Sequence, residues 1–217
     1  MITAIIMAAG FSKRMKRKSS INNCDELHEK NKLLIRIKGK SLLENTLDVV
    51  NGIDFHERIL VYKDEAIKQK AKEMGFKTVF NETAQNGISS SLKLGILNAK
   101  PTDAYMFFVA DQPLLSVKTI KRLIEKKTGD GSLSESGEAA QKTIFVPKYN
   151  NKPGMPVIFL VKWREELLKI EGDIGGREII KKNRGEVLLI DIENRYDGLD
   201  IDTWEDYEVI RKNEHIQ

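Results

Sequence analysis

Only one cysteine, Cys24, occurs among the 217 residues. It excludes an internal disulfide and any cysteine-only metal site, and it suits a reducing compartment such as the cytoplasm. Histidine is almost as scarce. His28, His56 and His215 are scattered through polar surroundings, and no pair has the spacing of metal ligands. No Ser-His-Asp or Cys-His arrangement is suggested, and a Gly-x-Gly-x-x-Gly dinucleotide fingerprint is absent. No apolar stretch approaches the roughly 20 residues that a membrane span needs. The segment after Met1 lacks the basic start and long apolar run of a secretory signal. Charge of one sign is missing too. The 36 basic and 32 acidic residues leave a net +4, a mixed surface that implies neither nucleic acid nor membrane as a partner.

What is present is enough to build a core. A hydrophobic content of 41% over this length supports one domain spanning 1–217. Apolar runs predict strands at 3–8, 58–62, 77–80, 104–109, 143–147, 156–161 and 186–191. Helical patterns predict helices at 41–51, 64–74, 88–99, 116–127, 163–170, 175–183 and 203–212. This alternation argues for an α/β fold, a parallel-rich sheet covered on both faces. Ligands of such sheets lie beyond the carboxyl ends of the strands.

Two strand ends carry chemistry. The first strand runs into Ala8-Ala9-Gly10-Phe11-Ser12-Lys13-Arg14. Small residues there let the backbone approach a ligand and expose N–H groups to a phosphate, and Arg14 adds a fixed charge. A packing turn is the plainer use of the same residues. The second strand, Tyr105–Ala110, ends on Asp111, whose carboxylate suits a hard dication such as Mg²⁺. The alternative is a turn or capping Asp before Pro113. The basic run from Lys13 to Lys18 follows the small-residue turn directly, which favours a triphosphate over a polymer backbone.

These turns belong to a longer ordered set: Ala8-Ala9-Gly10-x-Ser12-x-Arg14-Met15, Asn31-Lys32-Leu33-Leu34, Gly39-Lys40-Ser41-Leu42-Leu43, Gly87-x-Ser89-Ser90-Ser91, Ala110-Asp111-Gln112-Pro113 and Asp200-Ile201-Asp202-Thr203. The set resembles the MobA-like nucleotidyltransferases over nearly the whole chain. It is most similar to the branch of molybdenum cofactor cytidylyltransferases, which transfer CMP from CTP to molybdopterin. The resemblance implies a Rossmann-like three-layer sandwich with a mostly parallel sheet, and Mg²⁺ as cofactor. It implies catalysis by Arg14, Lys32 and Asp111, with nucleotide contacts at Ala8, Ala9, Gly10, Arg14, Lys32, Gly87, Ser89, Ser90 and Ser91. Asp111 and Asp202 are the implied metal ligands. Capping of the helix near Trp204 by Thr203 or Asp202 competes with that role. Pro153-Gly154-Met155-Pro156 and Gly172-Asp173-Ile174-Gly175-Gly176-Arg177 resemble acceptor-side segments, so Gly154, Pro156, Asp173 and Arg177 are implied to meet the acceptor. Arg177 suits bidentate binding of its phosphate. Both segments are also readable as turns, with Asp173 capping the helix at 175–183.

Ala9, rather than a second Gly, points to CTP over GTP by resemblance. A molybdenum hydroxylase follows as a partner. Cytidylyl or uridylyl transfer to a sugar or polyol phosphate, and a noncatalytic molybdenum cofactor carrier or chaperone, are the alternatives. Two segments depart from the pattern. Residues 16–31 are polar and read as an insertion between Arg14 and Lys32. Residues 128–142, rich in Gly, Ser and Glu, read as a mobile loop.

Overall fold

The computed structural model describes residues 1–11, 31–37, 39–128 and 142–212. Arg14, Cys24, His28, His215, nearly all of the 16–31 insertion and most of the 128–142 loop lie outside them.

The apolar runs form the central sheet. β1 (Ile2–Ala8) pairs in parallel with β4 (Glu57–Tyr62) on one side and with β6 (Ala104–Val109) on the other, and β5 (Lys77–Phe80) pairs in parallel with β4. Beyond β6 lie β9 (Val157–Leu160), β7 (Ile144–Tyr149) and β10 (Val187–Asp191). β9 runs antiparallel to both of its neighbours, β10 runs parallel to β7, and the short β8 (Lys152–Pro153) forms a hairpin with β7. The sheet order is therefore β10-β7-β9-β6-β1-β4-β5. The chain builds outward from β1 to β5 and then returns to place β6 on the other side of β1. That reversal leaves a crevice between the carboxyl ends of β1 and β6.

Side chains alternate across the sheet, and each face has its own core. Ala4, Ile6 and Ala8 of β1 face one cluster with α1 (Leu42–Asn51), α2 (Glu65–Glu73) and α4 (Val117–Thr128), which contribute Leu47, Ile67 and Leu123. Ile5 and Met7 face the other, with α3 (Ile88–Leu97), α5 (Arg164–Lys169) and α6 (Arg177–Lys182), which contribute Leu92, Leu167 and Ile179. A third, smaller cluster joins the hairpin of β2 (Arg36–Ile37) and β3 (Lys40–Ser41) to the C-terminal α7 (Trp204–Lys212), through Ile35, Ile37, Leu42, Ile201 and Ile210. The result is a three-layer α/β sandwich with a mostly parallel sheet.

The expected elements all form, with shifted ends. The strand expected over 156–161 stops at Leu160, because a 3₁₀ turn over Val161–Trp163 leads into α5. Helix α6 starts at Arg177 rather than 175, since Gly172–Ile174 is itself a separate turn. The two-residue strands β2, β3 and β8 had no readable period.

Candidate active site

Lys32 is presented by the residues on either side of it. Asn31 is buried, and its side-chain oxygen accepts the Leu33 N–H at 3.1 Å, capping the 3₁₀ turn Lys32–Leu34. Leu33 sinks into the core. The turn is thereby pinned at both ends, and Lys32 projects across the crevice. Its ammonium donates to Asp111 at 2.5 Å, to Asp202 at 2.8 Å and to the Ile201 carbonyl at 3.0 Å. Burial lowers the affinity of Lys32 for its proton. The charges of Asp111 and Asp202, with their hydrogen bonds, more than offset this and raise its pKa above the ordinary value.

The two carboxylates arrive from distant parts of the chain. Asp111 follows β6, and the Thr46 hydroxyl of α1 reaches the neighbouring Ala110 carbonyl at 3.3 Å. Asp202 comes from the C-terminal segment, which is tied down where the Ile201 N–H donates to the Asp111 carbonyl at 3.0 Å. The capping alternative for Asp202 resolves onto its neighbour. Thr203 Oγ1 accepts the Asp206 N–H at 3.2 Å, and the Asp206 carboxylate accepts the Thr203 N–H at 2.8 Å. Thr203 thus caps α7, and the Asp202 side chain meets Lys32. Asp200 lies beside the pair at the surface of the crevice. Exclusion of water by the surrounding walls, and then repulsion from Asp111 and Asp202, push its carboxyl up to about 6, against the pull of a Gln112 hydrogen bond and of Lys32.

Two cavities meet at these carboxylates. The smaller, about 320 Å³, is lined by Ala8, Ala9, Gly10, Lys32, Gly87, Ser91, Asp111, Asp173 and Asp202. A Cβ at Gly10 would meet nothing within 4 Å among the described residues, so their packing does not demand a glycine there. The larger, about 550 Å³, has Phe107, Val146 and Phe159 in its walls together with Gly154, Asp173, Arg177, Asp111 and Asp202.

Most of the expected site residues therefore line one cavity or the other. Ser89 and Ser90 line neither: both are buried, and Ser90 donates to the Gly87 carbonyl at 2.8 Å and accepts from Asn81. Pro156 is buried between two lining residues, Met155 and Val157. Asp173 does not cap α6. Its carboxylate accepts the N–H of Ile88, at the start of α3. Asp200, Gln112, Lys152 and Arg195 also line the larger cavity. Sequence reasoning gave them no part, although Asp200 and Gln112 sit inside the recognised motifs. Neither Lys152 nor Arg195 carried a local signal.

The model of the MobA-like NTP transferase domain matches residues 4–187. The chain belongs to the MobA-like NTP transferase family. It is accordingly a nucleotidyltransferase by family, and the match includes Ala8–Gly10, Lys32 and Asp111 but ends before Asp202. Nicotine blue oxidoreductase of Paenarthrobacter nicotinovorans is 26% identical over 207 residues, which span 94% of this chain and 93% of that protein. Rv0371c of Mycobacterium tuberculosis H37Rv is 25% identical, with a TM-score of 0.71 over 98% of each chain, and a second structure of it is a complex with manganese. A nucleotidyl transferase from Methanothermobacter superposes with a TM-score of 0.77 at 21% identity, over 100% of this chain and 97% of that one. No helix among the described residues is long and apolar enough to cross a membrane.

Proposed function

We propose that this protein, acting in the cytoplasm, transfers CMP from CTP to the terminal phosphate of molybdopterin, releasing pyrophosphate, in the maturation of a molybdenum hydroxylase. One observation carries the reading: two cavities share Asp111 and Asp202, with Lys32 held between those carboxylates. A group transfer needs two reactants to meet at such a junction. An oxygen of the acceptor phosphate forms a bond to the α-phosphorus of CTP. The bond from that phosphorus to the bridging oxygen breaks, and its electron pair leaves with pyrophosphate.

In this reading the smaller cavity takes the nucleotide. The backbone of Ala8, Ala9 and Gly10 and the side chain of Lys32 face its phosphates, while Gly87 and Ser91 line the nucleoside end; Arg14, outside the described residues, is the further cation that the sequence offers to the triphosphate. The larger cavity, with aromatic walls and Arg177, suits a flat acceptor bearing a phosphate.

Asp111 and Asp202 fit a divalent ion. Both approach one cation, the Lys32 ammonium, and oxygen ligands are what Mg²⁺ prefers. Among the described residues no larger group of His, Cys, Asp and Glu is placed to hold a metal. When bound, the ion would neutralise charge on the triphosphate and on the departing pyrophosphate.

The test is pyrophosphate release from CTP, GTP, UTP and ATP with Mg²⁺, using molybdopterin and, in parallel, sugar and polyol phosphates. CTP with molybdopterin is expected to be fastest. A preference for GTP would overturn the choice of nucleotide, and release only with a sugar or polyol phosphate would overturn the acceptor. Tight molybdopterin binding without release under any condition would favour a carrier.

A further inference from the structure

Among the described residues, three charged side chains line both cavities: Asp111, Asp202 and Asp173. The first two meet Lys32. Asp173 has a different partner, the N–H of Ile88, whose hydrogen it accepts at 3.1 Å across 85 positions of sequence.

That bond joins two pieces of backbone that pack closely against each other. On one side is the first turn of α3, preceded by Gly87 at φ 90°. On the other is the strap Gly172–Gly176, whose Gly172, Asp173 and Ile174 are exposed. The two pack backbone to backbone. A Cβ on Gly87 would lie 2.5 Å from the Gly172 carbonyl carbon and from the Asp173 carboxylate, and one on Gly175 would touch Ile88 at 3.4 Å. Gly175 and Ile88 pack closely, and the Asp173 carboxylate adds a directional link to that packing. It is charge-assisted, and the helix dipole favours it. Gly87 and Ile88 belong to the wall of the smaller cavity, and the strap leads straight into Arg177 in the wall of the larger one.

We infer that Asp173 is a positioning residue that couples the two cavities. A nucleotide seated against Gly87 and Ile88 steadies the strap through this carboxylate, and so fixes Arg177 before the acceptor arrives. The inference rests on the proposed assignment of the smaller cavity to the nucleotide. Coupling of this kind is reciprocal, so an acceptor seated at Arg177 also tightens the nucleotide.

Amide hydrogen exchange of the full chain, with and without CTP and Mg²⁺, tests it. CTP is expected to slow exchange at Ala8–Gly10 and Gly87–Ser91, and also at Gly172–Arg177, the last by on the order of tenfold. Asp173→Ala should lose the slowing at 172–177 while keeping it at 8–10. Asp173→Asn should retain it, because its amide oxygen still accepts the Ile88 N–H. Slowing at 8–10 and 87–91 with no change at 172–177 in the unaltered protein would overturn the coupling and leave the nucleotide assignment standing. So would coupled slowing that survives in Asp173→Ala. No slowing anywhere would overturn the nucleotide assignment and the coupling together. The unaltered protein decides the matter even if the Ala variant does not fold.

Discussion

At the scale of single residues, Lys32 sits between two carboxylates, and its charge is satisfied twice over. That redundancy separates function from stability. Asp111→Ala leaves Lys32 paired with Asp202, so the fold should persist with an unchanged circular dichroism spectrum. Transfer should fall by on the order of 10²-fold or more, since the lost carboxylate serves the reacting phosphates. Turnover at the wild-type rate would remove Asp111 from the site. Ala9 is the second informative residue, buried at 4% exposure yet in the wall of the smaller cavity. If its methyl group crowds a purine, Ala9→Gly should raise kcat/KM for GTP relative to CTP by a modest factor. One methyl in a pocket is worth about 1–3 kcal/mol. An unchanged ratio would place base selection elsewhere.

At the scale of elements, α1 shows how local chemistry fixes a helix that in turn supports the site. Ser41 caps it, accepting the Glu44 N–H at 3.1 Å, and Glu44 reaches back to the Ser41 N–H at 2.8 Å, a closed capping box. Thr46, one turn on, is the residue that reaches the Ala110 carbonyl beside Asp111. Lys70 of α2 pairs with Glu44 at 2.9 Å. The hydrogen bond from Lys70, then that from the Ser41 backbone, hold the Glu44 carboxyl down at about 2, below its ordinary 4.5. A carboxyl depressed on folding stabilises the folded state above its unfolded pKa and loses that contribution as pH falls through the folded value. Glu44→Gln keeps the capping box but loses the charge that pairs with Lys70, so it should be less stable at pH 7 by about 0.2–1 kcal/mol, the range of an ion pair near the surface. The gap should close between about pH 4.5 and about pH 2. Urea unfolding across that range measures it, and a gap of constant size would assign the loss to packing.

The whole molecule depends on its last segment in a way that the family match does not convey, because residues after 187 lie beyond it. Ile201 and Ile210 are buried against Ile35, Ile37 and Leu42. Between those two isoleucines, Asp202 meets Lys32. A chain ended after Gly198 should lose transfer. It should also be destabilised by several kcal/mol, since each buried isoleucine removed costs about 2–5 kcal/mol. Asp202→Asn separates the two effects: transfer should drop while the melting temperature stays within a few degrees. Melting curves and pyrophosphate release on both variants check this, and a truncated chain with full activity would show that Asp202 is dispensable.

The sequence by itself determined the layers and one half of the site. A continuous apolar run such as Ile5–Ala8 is legible because burial on both faces of a parallel strand needs one. Asp111 is legible because it ends such a run, and Asn31-Lys32-Leu33 because a cap, a charge and a core anchor lie side by side. The tertiary structure decided everything that depended on distant parts meeting. Asp173 reads as the cap of the helix that follows it, yet it caps one 85 positions earlier, because the crossovers that build the sheet lay the strap against α3. Which of Ser89, Ser90 and Ser91 reaches a cavity was settled by the rotation of α3 on the sheet. Lys152 and Arg195 reach the larger cavity only because a two-residue hairpin and a late turn close over it. Spacing along the chain records contacts a few residues apart. Contacts made by crossovers leave no such spacing, so the fold had to be seen before they were.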